Sequence, residues 1–501
     1  MVPFLLASLS GALLVLSFPN YGHPIVAWLA LAPLIWVIGS VSRWQAAWLG
    51  LLTGTVHFLG TIYWIPTVMI EYGGLPAAFA WLVYAAFVLY LALFPCLFAV
   101  MLSLIVGRVG ALGMLLAPAV WVTTELGRMY LFTGFPWALI GYSQVPFLAV
   151  AQAASVVGVL GVSALVVSTS AAIAYVLTAG VRRSRLPVAV TMVVVGGTIV
   201  AGAWRVQQAT LLTEGVEIRV AALQGNVSQE DKWNPLKSEE ILATYVRQTE
   251  VASELGAQLV VWPEAATPFP LAADPRGEHI RRLAARLDSH LLIGTTEIET
   301  DEIEDRSQYY NSAYMLDQTG ETAGIYRKQH LVPFGEYVPL REALFFVSPL
   351  VETIADFSAG TGPRILPLDD YGVSTAICYE IIYPGLVREL VLGGANLITT
   401  LTNDAWYGRS AAPYQHFQQA RMRAIEQGRY LVRAANTGIS AVVDPYGRVL
   451  ARSRLFEQAV VVEKVRLLKR LTPYGHVGDL TAYSLAFVTF LALGVTRRNY
   501  Q

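Results

Sequence analysis

Apolar residues run almost unbroken through the first 204 positions, and then the pattern changes to short apolar runs separated by polar helical stretches. A membrane-spanning helix needs about 20 mostly apolar residues. That criterion predicts spans at 2–17, 24–40, 45–64, 75–106, 111–128, 150–178 and 186–204, with an eighth at 478–496. The 75–106 run is long for one helix; Pro95 either kinks it or divides it in two. From 216 on, strand-like runs are expected at Val216–Leu223, Gln258–Trp262, His290–Thr296, Tyr310–Leu316, Glu321–Tyr326, Gly372–Cys378, Asn396–Thr402, Gly438–Val443 and Arg448–Ala451. Helical spacing is expected at Ser238–Gly256, Arg276–Asp288, around Gly385–Leu392 and at Tyr414–Tyr430. Such alternation predicts a layered α/β domain with buried sheets. The expected organisation is a helical membrane domain over 1–204 with about seven spans, an α/β domain over 216–470, and a final span at 478–496.

Composition sharpens this division. The 501 residues are 55% hydrophobic and only 14% charged, with a mean hydropathy of +0.50. Soluble domains carry roughly a quarter charged residues. Of 35 Lys and Arg and 36 Asp and Glu, only six Arg and two Glu fall in residues 1–204. With an inside amino terminus, the inside loops carry Arg43, Arg108, the Arg182/Arg183/Arg185 cluster and Arg497/Arg498, as the positive-inside rule requires. The α/β domain is therefore expected outside the cytoplasm, periplasmic in a two-membrane bacterium. A net charge of −1, with no basic run beyond Arg182-Arg183-Ser184-Arg185, gives no support for nucleic-acid binding. The seven His are scattered and no Gly-rich phosphate loop occurs, so neither a metal nor a cofactor is expected. Glu125, at the end of a span, is a functional pointer; the aromatic residues near it, Trp121 and Gly134-Phe135-Pro136-Trp137, read equally as interfacial anchors.

Cys378 is one of two cysteines and ends the run Gly372-Val-Ser-Thr-Ala-Ile-Cys378. The other, Cys96, lies in an apolar span, so an intradomain disulfide is excluded. Two readings of Cys378 stand: a small buried hydrophobe, or a nucleophile given a polarising neighbourhood. Glu264 ends Val260-Val-Trp-Pro-Glu264, and Lys328 follows the strand pair in Tyr326-Arg327-Lys328. Each has a plain alternative, a solvated turn carboxylate or a surface lysine. Strand ends are where α/β domains place their sites, and together the three make a Glu, a Lys and a Cys fit for acyl transfer.

The ordered motifs are Gln224-Gly225-Asn226, Lys232-Trp233-Asn234-Pro235, Trp262-Pro263-Glu264, Tyr326-Arg327-Lys328 and Leu331-Val332-Pro333-Phe334-Gly335-Glu336-Tyr337-Val338-Pro339. Ile377-Cys378-Tyr379-Glu380, Asn403-Asp404-Ala405-Trp406-Tyr407-Gly408 and Arg421-Met422-Arg423-Ala424-Ile425-Glu426 follow. Over about 216–466 this set resembles the nitrilase (carbon–nitrogen hydrolase) superfamily. With eight spans it resembles the apolipoprotein N-acyltransferase family within it. The resemblance implies an α-β-β-α sandwich, with Glu264 as general base, Lys328 as oxyanion partner and Cys378 as nucleophile. It also implies supporting roles for Trp233, Asn311, Glu336, Tyr379 and Glu380. The implied partners are a phospholipid acyl donor, often phosphatidylethanolamine, and the diacylglyceryl-cysteine at a lipoprotein amino terminus, met at the bacterial inner membrane. The competing reading is a membrane-anchored amidase or nitrilase with water as acceptor, which shares the same three residues; eight spans argue against it. Residues 340–351, with Leu344, Phe345, Phe346 and Leu350, form an apolar stretch that reads either as a lid dipping into lipid or as a buried core loop.

Overall fold

The computed structural model describes residues 1–301, 306–333, 335–337 and 357–494, so the expected lid at 340–351 lies outside the described residues. The chain divides into two compact units. One comprises 1–66, 76–208 and the chain from 472 on; the other comprises 67–75 and 209–471.

The first unit is helical. Among the described residues, three helical runs are long and apolar enough to cross a membrane: Ala77–Thr133, Ala154–Ala179 and Val181–Leu212. A fourth arises if Arg43–Thr61 and Ile65–Glu71, bent by 52° from one another, count as one span. The expectation of eight is thus larger than what the helices carry by length. The expected spans 75–106 and 111–128 correspond to the helices Ala77–Val109 and Ala117–Tyr130, parted at Gly110, which takes φ +77. The segment near 2–17 forms an apolar helix of 15 residues, about 22 Å at 1.5 Å per residue against a hydrocarbon core of about 30 Å, and an apolar helix occupies Leu480–Gly494, where the described residues end. The segment near 24–40 forms Pro24–Ala30 and Ala32–Ile38. Arg43–Thr61 starts at a capping box, in which the Ser42 hydroxyl accepts from Gln45 N and the Gln45 side chain accepts from Ser42 N. It lies close against Ala77–Val109 because Gly50 and Gly54 carry no side chain. A Cβ on Gly50 would stand 2.4 Å from the Pro95 carbonyl oxygen.

Glu125 and Arg128, both buried, serve the irregular backbone that follows their helix. Glu125 Oε1 accepts from Ile140 N at 2.8 Å, and Arg128 donates to the carbonyls of Phe135 (3.1 Å) and Trp137 (2.5 Å). Unpaired backbone groups amid apolar helices are costly, and these two charges supply partners for three of them. That gives Glu125 a structural task.

The second unit is α/β. Along the chain it forms β1 (Val216–Gln224), β2 (Leu259–Val261), β3 (His290–Asp301), β4 (Arg306–Leu316), β5 (Thr322–Arg327), β6 (Leu366–Leu368) and β7 (Tyr371–Ile377). It continues with β8 (Ala395–Thr402), β9 (Leu431–Ala435), β10 (Ala441–Val443), β11 (Val449–Arg452) and β12 (Ala459–Leu467). One six-stranded sheet has the order β12-β1-β2-β3-β4-β5 and the other β11-β10-β9-β8-β7-β6. Within them β1, β2 and β3 run parallel, as do β7, β8 and β9. Helices Ser238–Glu254 and Arg276–Leu287 cover the first sheet through Ile241, Tyr245, Ile280 and Leu283, packed with Leu223, Val260, Trp262 and Ile293. The Tyr245 ring stacks on Trp262 at 5.0 Å, and Trp262 Nε1 donates to Thr249 at 3.0 Å. Helices Pro384–Leu392 and Ala412–Gln427 belong with the second sheet. The helix expected to reach Tyr430 stops at Gln427, since Gly428 takes φ +59 as its left-handed cap; Leu431–Ala435 then forms the fully buried β9.

The sheets are tied by Gln224 at the end of β1, which is fully buried. Its Oε1 accepts from the hydroxyls of Ser440 (2.8 Å) and Ser453 (2.7 Å), and its Nε2 donates to the carbonyls of Arg454 (2.7 Å) and Glu457 (2.8 Å). Gln224→Ala orphans several of these groups. It is expected to lower stability by at least about 1–3 kcal/mol, the cost of a buried unsatisfied partner, seen as a lower thermal unfolding midpoint; an unchanged midpoint would refute the tie.

Candidate active site

The carboxyl ends of β2, β5, β7 and β8 bring Glu264, Lys328, Cys378 and Asn403 together, with Asn311 from within β4. Local backbone explains how Glu264 is presented. Pro263 and Glu264 pass so close over β3 that a Cβ on Gly294 would stand 2.2 Å from the Pro263 carbonyl oxygen. Ala265 then takes φ +44 and donates the turn onward, with Ala266 N hydrogen-bonded to Gly294 O at 2.7 Å. The Glu264 carboxylate is held at both oxygens. Oε1 accepts from Asn311 Nδ2 at 2.8 Å and lies 3.5 Å from Lys328 Nζ, while Oε2 accepts from Asn403 N at 2.9 Å. Burial alone would raise its pKa. The Lys328 and Lys232 ammonium groups, with hydrogen bonds from Asn311 and the Cys378 thiol, outweigh that and hold the carboxyl below its ordinary value.

Lys328 is buried and meets Glu336 Oε1 at 2.9 Å. Burial disfavours its cation, but Glu336 and Glu264 more than compensate, so it stays charged well above the usual lysine range. Glu336 also accepts from Asn311 Nδ2 (2.9 Å) and Val332 N (2.8 Å), which fixes it as the link between Lys328 and Asn311.

Cys378 opens the turn Cys378–Ile382 with φ +53, a left-handed conformation that costs a non-glycine residue energy. Its carbonyl accepts from His416 Nε2 at 3.1 Å. His416 Nδ1 lies 3.2 Å from both Arg433 Nη2 and Asp404 Oδ1, and Arg433 also meets Asp404 Oδ2 at 2.8 Å. Burial and then the Arg433 charge lower the imidazole's pKa, so it sits neutral in this role. Burial drives the Cys378 thiol up to about 12; the Glu264 carboxylate adds to this, while Lys328 and a Thr402 hydrogen bond oppose it. The thiol is therefore protonated at neutral pH and hydrogen-bonded to a carboxylate that is not.

Glu380 is fully buried and ringed by donors: Tyr326 hydroxyl (2.9 and 3.0 Å to its two oxygens), Gln329 N (2.7 Å), His330 N (3.1 Å) and Ile377 N (2.7 Å). It clasps the end of β7 to the backbone just after Lys328. Burial moves its carboxyl up to about 7 against those hydrogen bonds and the Lys328 charge. Tyr379 packs beside Tyr383 (5.4 Å) and His330 (6.0 Å). Trp233 is not in this cluster: its side chain is 51% exposed, at the end of the short helix Gln229–Lys232. Its neighbour Lys232 is buried instead, with Nζ donating to the Glu264 carbonyl at 3.0 Å. Sequence reasoning passed over Lys232, though it quoted the residue in the Trp233 motif. It also missed His416 and Arg433, which look like ordinary polar positions of a helix and a strand. Among the described residues no group of three or more His, Cys, Asp or Glu could hold a metal ion.

The arrangement brings together a thiol, a carboxylate and a fixed ammonium, the kinds of group that acyl transfer at a carbonyl can use. Comparison with known proteins agrees with this class. Residues 219–469 match the carbon–nitrogen hydrolase family, and residues 10–172 match the apolipoprotein N-acyltransferase N-terminal domain. A solved amidase from Nesterenkonia sp. is 24% identical, with a TM-score of 0.39, covering 51% of this chain and 93% of its own. The apolipoprotein N-acyltransferase of Geobacter metallireducens is 38% identical over 96% of this chain and 92% of its own. That of Methylococcus capsulatus is 37% identical over 100% and 97%. The chain belongs to the apolipoprotein N-acyltransferase family.

Two substitutions test the site. Glu264→Gln removes the carboxylate that can accept the Cys378 proton, so iodoacetamide should alkylate Cys378 more slowly at pH 8, by roughly 100-fold or more for a positioned base. Alkylation at the wild-type rate or faster would show that the Glu264 charge holds the proton on sulfur instead of taking it. Glu380→Gln turns an amide N–H₂ toward backbone donors and should cost about 1–3 kcal/mol, measured as a fall in the thermal unfolding midpoint; a midpoint equal to wild type would show the clasp to be dispensable.

Proposed function

We propose that the protein transfers an acyl chain from a membrane phospholipid, through a thioester on Cys378, to the α-amino group of the diacylglyceryl-cysteine that begins a lipoprotein. The observation that carries this reading is the Glu264–Cys378–Lys328 cluster set in a chain whose whole length is like apolipoprotein N-acyltransferases. In the first half-reaction Glu264 takes the Cys378 proton as sulfur attacks the ester carbonyl carbon. Lys328 and the Tyr379 backbone N–H hold the developing oxyanion; removing one such donor typically costs about 2.7–4 kcal/mol. The ester C–O bond then breaks, Glu264 returns its proton to the leaving oxygen, and the lysophospholipid departs. In the second half-reaction the acceptor amine attacks the thioester, Glu264 receives the amine proton, the C–S bond breaks, and the proton returns to sulfur. Asn311 and Glu336 position Glu264 and Lys328, and Glu380 holds the two strand ends in register. A neutral resting thiol suits this scheme, because sulfur becomes nucleophilic only as Glu264 accepts its proton.

Trp233 has a place in the same reading. Together with Leu236 and Trp406 it leaves an exposed apolar side chain on loops beside the site, and those loops are joined by Asn403 Nδ2 donating to Gln229 Oε1 at 2.9 Å. Exposed apolar groups there suit acyl chains. The helical unit would anchor the enzyme in the bacterial inner membrane with up to eight membrane-embedded segments. The α/β unit, extending over 216–470, would then lie on the periplasmic side, as the loop charges require.

The test is incubation of the purified full-length protein with phospholipid labelled in its acyl chain. A hydroxylamine-labile label should appear on Cys378, be absent from Cys378→Ala, and be discharged by a diacylated lipopeptide faster than by water. A label lost equally fast to water would favour the amidase-like reading, and no label at all would overturn acyl transfer.

A further inference from the structure

Lys232 sits where a lysine is expensive. It closes the short helix Gln229–Lys232, whose start is capped by the Ser228 hydroxyl accepting from Asp231 N at 3.1 Å. Its side chain runs inward and is 5% exposed. The Nζ donates to the backbone carbonyl of Glu264 at 3.0 Å, at the turn where Ala265 takes its left-handed φ. A buried ammonium is retained only where negative charge requires it.

That requirement follows from a tally of the buried charges. Glu264 and Glu336 carry two negative charges, and Lys328 answers one of them. Asp404 is answered by Arg433, and Glu380 by its ring of donors. With Lys232 charged, the remaining groups sum to zero at rest. They still do when Glu264 holds the proton and sulfur carries the charge, when the charge lies on a tetrahedral oxygen, and when the acyl-enzyme stands. Without it, each of those states holds one uncompensated negative charge in a buried site.

We infer that Lys232 is a positioning residue that fixes Glu264 through its carbonyl and balances the negative charge of the Glu264–Cys378 pair. The charged groups around it are Glu230 and Asp231 on its own helix, Glu264 after β2 and Cys378 after β7. Lys328 and Glu336 act on it through Glu264, and Asp404 through Cys378. Burial lowers the Lys232 ammonium to about 8, against the pull of Glu264 and Cys378, so its balancing charge predominates at pH 7 and is lost as pH rises through that value. Its part in turnover rests on the acyl-transfer reading; its effect on the thiol does not.

The experiment follows alkylation of Cys378 by iodoacetamide in the full-length protein in detergent, with the modified residue identified by mass spectrometry. Lys232→Met should slow alkylation about tenfold at pH 7, the effect of removing an opposite charge near a thiol. The ratio to wild type should shrink toward one above pH 9. Lys232→Arg, charged at every pH, should lack the flattening of the wild-type profile near pH 8. A folded Lys232→Met protein alkylated at the wild-type rate, or slowed by the same factor at every pH, would overturn the proposal. If Lys232→Met does not fold, a Lys232→Arg profile identical to wild type would overturn it. Acylation by labelled phospholipid is measured in parallel. If no variant is acylated but the alkylation ratios hold, the acyl-transfer reading fails and the charge-balance role stands.

Discussion

The Glu264 carboxylate is the point on which the α/β unit turns. One oxygen is held by Asn311 of the first sheet and the other by the Asn403 amide at the end of a strand in the second. A single side chain therefore fixes the relation of two sheets at the place where their reactive groups meet. Its precision is bought by rigid surroundings: the glycine at 294, the strained Ala265, and the Lys232 contact all constrain where that carboxylate can go. Short, charge-assisted bonds of this kind are stronger than neutral ones. The geometry needs no movement to bring acceptor and thiol together.

Charge is handled in pairs throughout the site. Every buried carboxylate has a cation or a ring of donors: Glu336 has Lys328, Asp404 has Arg433, and Glu380 has three backbone amides and a tyrosine hydroxyl. The same economy governs the helical unit, where Glu125 and Arg128 satisfy backbone groups. In a low-dielectric interior an unpaired polar group costs more than a paired one returns, so the polar residues of both units are read best by asking what each one completes.

Much of this was legible in sequence. Glu264, Lys328 and Cys378 stand at strand ends, and a polar residue ending an apolar run is a visible signal. Asn311, Glu336, Tyr379 and Glu380 were named through family resemblance, and the structure places them against or beside those three. The parts that escaped did so for physical reasons. Lys232 escaped because nothing in a short polar helix shows which side chain turns inward, and attention fell on Trp233, which turns out. The strand β9 escaped because it is five residues long and follows a helix across one left-handed glycine. Arg433 inside it breaks the apolar pattern, and only the buried Asp404 explains its presence. The number of spans was legible only in part, because apolar composition reports what tolerates lipid, while helix length and breaks report what can cross it.

A thiol kept protonated at rest has a consequence for endurance. Peroxides and disulfides attack the thiolate, and the tendency to oxidise follows thiolate content and exposure. Cys378 is buried, carries little thiolate at neutral pH, and has no second cysteine in its unit to pair with. The same burial and neighbouring carboxylate that raise the thiol also keep scarce the thiolate that oxidants attack.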